Sequence, residues 1–107
     1  NSVLMTEQKN RLEYEFLIRK NDYYDLVYSF KADSCVKIKI TTHFNKSLYT
    51  ERVQRIVINE LNSDTNFKKV DQQTYYYQWV QNSGFSEIEL HTENGSTGRI
   101  ELTIKKR

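Results

Sequence analysis

Along most of this chain, apolar and polar residues alternate one for one. From Arg11, Leu12, Tyr14, Phe16 and Ile18 fall on one side, and Glu13, Glu15, Leu17 and Arg19 on the other. After the turn residues Asn21-Asp22, Tyr24, Leu26, Tyr28 and Phe30 alternate with Asp25, Val27, Ser29 and Lys31. After Ala32-Asp33-Ser34, Val36, Ile38, Ile40, Thr42 and Phe44 alternate with Cys35, Lys37, Lys39, Thr41 and His43. A period of two is the signature of a strand with one covered face and one wet face. Short turns between such runs predict an antiparallel meander of three strands.

One stretch breaks the alternation. In Tyr49 to Leu61, the residues Tyr49, Val53, Ile56, Val57 and Leu61 form one stripe of an amphipathic helix. Arg52, Gln54, Arg55 and Asn59 fall outside it. The β-branched run Ile56-Val57-Ile58 lowers helix propensity and offers a strand as the rival reading. Ser47 or Thr50 is the expected N-cap, its hydroxyl accepting from a free backbone N–H. Asn62-Ser63-Asp64 supplies the stop, because these side chains compete for backbone partners.

Beyond the helix, Asn62 to Gln72 is polar and reads as a loop, with Phe67 and Val70 as anchors. Thr74 to Val80, rich in aromatics, reads as a strand. Ile88 and Leu90, then Ile100, Leu102 and Ile104, alternate with charged residues on either side of a loop at 93–98. These last two runs predict a hairpin with Glu87 and Glu89 facing Arg99 and Lys105. The fold class expected is α+β: a mostly antiparallel sheet, in the order β-β-β-α-β-β-β, with one helix packed on one face. The alternative is an all-β sandwich in which Tyr49 to Leu61 is a strand. Asn1 to Lys9 shows no period and is expected as a linker or frayed start, with residues 10–107 forming a single domain.

Charge adds little direction. Sixteen basic and fourteen acidic residues are interspersed, for a net charge of +2, which gives no electrostatic warrant for nucleic acid. No apolar run approaches the ~20 residues of a membrane span. The lone cysteine, Cys35, excludes an internal disulfide and any multi-cysteine zinc site, and makes a reduced, intracellular compartment the default.

The catalytic inventory is sparse. Cys35 and His43 share one face of a strand but lie roughly 26 Å apart along an extended chain, too far for a dyad. His91 stands alone, and two histidines on wet faces make no metal site. No glycine-rich phosphate loop is present. Glu13-x-Glu15, Glu87-x-Glu89 and Glu101, with Lys37 and Lys39, place paired carboxylates and cations on strand faces. This arrangement resembles the tunnel-type triphosphatases over three short strands. The resemblance implies a divalent metal on the carboxylates and a triphosphate on the cations. Leu17 stands where that family carries a basic residue. The competing expectation is a solvated face with cross-strand ion pairs.

The aromatic stretch is the candidate binding site. Tyr75, Tyr77 and Trp79 share one face, and Tyr76, Gln78 and Val80 the other. Exposed Tyr and Trp anchor interfaces or stack on sugars. If this strand lies at a sheet edge, its backbone is free to take up a partner strand. The function expected is a non-enzymatic protein–protein interaction domain of a larger protein or assembly, with a protein partner or self-association and no cofactor. A carbohydrate-binding module and a metal-dependent phosphohydrolase are the alternatives.

Overall fold

The computed structural model describes residues 2–8, 10–94 and 98–107. Among them are β1 (Ser2–Gln8), β2 (Arg11–Arg19), β3 (Asp22–Lys31), β4 (Ser34–Phe44), α1 (Ser47–Ser63), β5 (Phe67–Gln73), β6 (Tyr76–Gln81), β7 (Ser86–Asn94) and β8 (Gly98–Lys106). The chain is α+β. All described strands join one antiparallel sheet in the order β1-β2-β3-β4-β8-β7-β6-β5. It is therefore two four-stranded meanders, one on each side of the helix in sequence, fused along β4 and β8. The strands β1 and β5 form the edges.

The helix lies over β8, β7, β5 and β4. Beneath it are the buried residues Phe44, Trp79, Ile88, Leu90 and Ile100, packed by Tyr49, Val53, Val57, Ile58 and Leu61 from α1. Trp79 is fully buried, and its indole N–H donates to Asn62 Oδ1 at 2.9 Å, so its one polar atom is satisfied. The register of β7 on β8, from Ser86 against Lys106 to Asn94 against Gly98, confirms the C-terminal hairpin. Residues 95–97 of its expected loop lie outside the described residues.

Several expectations are corrected. The helix runs two residues further at each end than its apolar spacing suggested. Its N-cap is Lys46, with no side-chain cap, and Thr50 lies inside the helix, fully buried. Ile56 is 62% exposed. The inward stripe is Thr50, Val53, Val57 and Leu61, rotated from the predicted one. Closest approach to the sheet favours the small threonine over the bulkier isoleucine.

The expected linker contains a strand: Ser2–Gln8 pairs with β2 from Ser2 against Phe16 to Gln8 against Arg11. Asn1 and Lys9 lie outside the described residues. The expected loop contains β5, an edge strand carrying Lys68 and Lys69. Edge strands bear charge because it discourages pairing with other chains. Ile18, predicted inward, is exposed because the ladder shifts register between Leu17 and Arg19.

Candidate functional site

Strand register fixes which side chains share a face, because residues directly opposite in an antiparallel pair point the same way. Leu12, Tyr28 and Ile38 form one row across β2, β3 and β4, which continues into Ile104. Tyr14, Leu26, Ile40 and Leu102 form the next, and Phe16, Tyr24, Thr42 and Ile100 a third. One apolar face thus spans both meanders. The helix covers it over the second meander, and among the described residues no second helix covers it over β1–β3. Eight strands at ~4.8 Å spacing make a sheet nearly 40 Å wide, whereas one helix is ~10 Å across.

The uncovered half is aromatic, and across β2, β3 and β4 these rows carry no ionised side chain, while the register sets Glu7 of β1 opposite Leu12. Phe16 and Tyr24 stack with centroids 4.7 Å apart and planes within 6°. Tyr14 meets Phe16 at 6.4 Å and meets the Tyr28 ring edge-on at 6.4 Å. These rings are half-buried. At one end a depression of about 500 Å³ is lined by Asn10, Leu12, Phe30, Ala32 and Asp33.

The helix forms a wall beside this floor. Tyr49 packs on Phe44, and the Arg19 guanidinium of β2 sits 4.2 Å over its ring. The Tyr49 flank of α1 therefore faces the first meander. Ile56, two turns on, lies on that same flank and is exposed. A buried carboxylate fixes the corner. Asp22 pairs with the Arg19 guanidinium, Nε to Oδ2 at 2.6 Å, and accepts from the Asn45 backbone N–H at 2.6 Å, tying the β2–β3 turn to the β4–α1 connection.

The opposite face is a ladder of charges. Lys105 holds Glu89 at 2.5 Å and Glu87 at 3.7 Å. Glu101 takes Lys39 at 3.3 Å and Arg99 at 3.2 Å, and Glu13 takes Arg11 at 3.3 Å. The hydrogen bond from Lys105 holds the Glu89 carboxyl below its ordinary value, and the same bond raises Lys105. Tyr76 donates to Glu89 at 3.1 Å, and burial followed by the Glu89 charge pushes its phenol up to about 12. His43 meets Asp25 at 3.2 Å and stacks on Tyr23, while Cys35 lies against the Lys37 carbonyl at the other end of β4. Among the described residues no three His, Cys, Asp or Glu side chains gather as for a metal ion, and no helix is long and apolar enough to cross a membrane.

The predicted binding stretch is dispersed by the fold. Trp79 is core, and Tyr77 stacks on it at 5.7 Å. Tyr76 and Gln78 are engaged with Glu89 and Glu87 on the charged face, and Val80 sits between Lys68 and Glu87. Tyr75 is exposed, just before β6. The strand β6 is paired on both sides, by β5 and β7, so the edge-strand mechanism is overturned. The aromatic floor over β2 and β3 was passed over because one helix was assigned to cover the whole sheet. The width of six or more strands against one helix was the signal that half would stay bare. Compared with known proteins, the chain matches no family model, no curated protein and no solved structure.

Proposed function

We propose that this chain is a non-enzymatic protein–protein interaction domain that docks through the aromatic floor of β2 and β3 and the adjacent flank of α1. The observation that carries this reading is the aromatic, apolar face of β2 and β3 left without a second layer. Contiguous apolar patches above a few hundred Å² mark interaction surfaces, and three strands of this length present about 400 Å². Aromatic residues dominate the centres of such interfaces.

The two alternatives draw less support. Sugar stacking needs a free ring face, and Phe16 and Tyr24 each commit one face to the other. Phosphate hydrolysis needs uncompensated carboxylates and cations facing each other in a closed barrel. Here the sheet is open, and Glu87, Glu89 and Glu101 are matched by Lys105, Lys39 and Arg99.

Neighbouring residues on opposite faces provide the test. Phe16→Lys charges the aromatic floor, and Leu17→Lys charges the other side, where Leu17 is exposed. The expected result is that, at dilutions that keep the chain monomeric, wild type and Leu17→Lys bind an apolar fluorescent dye and Phe16→Lys, folded by circular dichroism, loses most of that signal. Absence of dye binding by the wild-type monomer overturns the reading.

A further inference from the structure

Resting on the interaction reading, we infer that the occupant of the uncovered half-sheet is a second copy of this chain, related by a two-fold axis lying between the two aromatic floors. Layer heights motivate it. A helix axis lies about 10 Å above the sheet it packs on, and two sheets pack face to face at about 10 Å. The step from floor to helix is therefore as high as one further sheet. When the bare half of one copy lies on the bare half of another, each α1 comes level with its partner's sheet. It then sits beside the partner's β1 edge. The one contact that covers both floors also shields both β1 edges, which are otherwise open for pairing.

Three further observations fit this occupant. The central rows of the floor, through Tyr14, Phe16, Tyr24 and Leu26, carry no ionised side chain, so a two-fold axis brings no like charges together. The opposite face, with its lysines and glutamates, lacks that property. Ile56 is exposed on the flank of α1 that the partner's edge would meet. The area comes within reach of a specific interface: about 400 Å² per copy gives about 800 Å² in all, and the helix flanks supply the rest of the roughly 1,000 Å² required.

Sedimentation equilibrium of the whole chain, extended to about 100 µM, tests this, with the melting temperature followed against concentration. The expected result is twice the 12.9 kDa chain mass and a melting temperature that rises with concentration. Phe16→Lys should yield monomer, as should Ile56→Lys, whose site is on the helix surface and leaves the core intact. Leu17→Lys should remain dimeric. A wild-type monomer at the highest concentration overturns the inference, as does a dimer that survives both Phe16→Lys and Ile56→Lys. A wild-type monomer that still binds the apolar dye, with binding lost in Phe16→Lys, overturns the second copy and leaves the interaction reading standing. A wild-type monomer without dye binding overturns both.

Discussion

The hydroxyl of Thr50 occupies the space that a side chain on Gly98 would need: a Cβ built there would lie 1.6 Å from Thr50 Oγ1 and 2.5 Å from its Cβ. Helix and sheet thus meet here with no room for a further side chain, which limits how closely α1 approaches β8. The glycine is required for space, not for an unusual backbone angle.

Gly98→Ala should therefore be among the most disruptive single changes in the chain, costing about 1 to 3 kcal/mol or more by overpacking. Thr50 Oγ1 has no hydrogen-bond partner among the described residues, so Thr50→Ala loses none of the bonds described and gains helix propensity, and should change stability by less than about 1 kcal/mol. Because the Thr50 Cβ also intrudes, Thr50→Ala should not rescue Gly98→Ala. Urea unfolding of the three variants checks the ordering, and a Gly98→Ala protein as stable as wild type would sink this account of the contact.

The helical stripe supplies a second ordering. Leu61 packs against the core and is half-buried, so Leu61→Ala should cost about 1 to 3 kcal/mol, below the full cost of a buried leucine. Ile56→Ala, at an exposed site, should stay within about 0.5 kcal/mol in the monomer. Chemical denaturation at low protein concentration separates this from any effect on association.

How legible this fold was varies by element, for physical reasons. Strands β2, β3, β4, β7 and β8 alternate because each has one apolar face, and their faces were legible except at Ile18, where β2 shifts register. The strand β5, FKKVDQQ, sits at an edge with mostly polar side chains, so it carries no period to find. The helix was found from its spacing, but its rotation was not. Tyr49 and Ile56 are as apolar as Val53 and Leu61, and only the gap above Gly98 selects Thr50 for the inward position. The site was missed for a related reason. Alternation tells which side of a strand is apolar, but not whether anything lies on it. Tyr14, Phe16, Tyr24 and Tyr28 therefore looked like core. Conversely, Tyr76 and Trp79 drew attention by aromaticity and by a strand that could have been an edge, although their neighbours already satisfy them.

Asp22 offers a test of the corner that holds α1 beside the floor. It is buried, and its oxygens serve both Arg19 and the Asn45 backbone N–H. Asp22→Ala would strand that N–H and release the β2–β3 turn, at a cost of about 2 to 3 kcal/mol. Arg19→Ala should cost less, since Arg19 is half exposed and its loss leaves the Asn45 bond in place. Hydrogen exchange at Asn45 gives a local readout: fast exchange in Asp22→Ala and near-native protection in Arg19→Ala are expected.

The charged face makes its own prediction about alkaline pH. Tyr76 has an ordinary phenol value of 10.0 when unfolded and about 12 when folded, where burial and the Glu89 carboxylate disfavour the phenolate. Between those values the unfolded chain has already shed this proton while the folded chain still holds it. Unfolding then releases a proton, so stability is fully present below pH 10 and falls as pH rises toward 12. Lys105 acts in the same direction, because its hydrogen bond to Glu89 raises it above 10.5. Tyr76→Phe removes the tyrosine part alone and keeps the ring against His91. The expected outcome is that the urea midpoint of Tyr76→Phe declines less steeply than wild type between pH 10 and about pH 11, with the residual slope belonging to Lys105. Identical slopes in the two proteins would show that Tyr76 titrates as an ordinary exposed phenol and that the Glu89 hydrogen bond does not hold in solution.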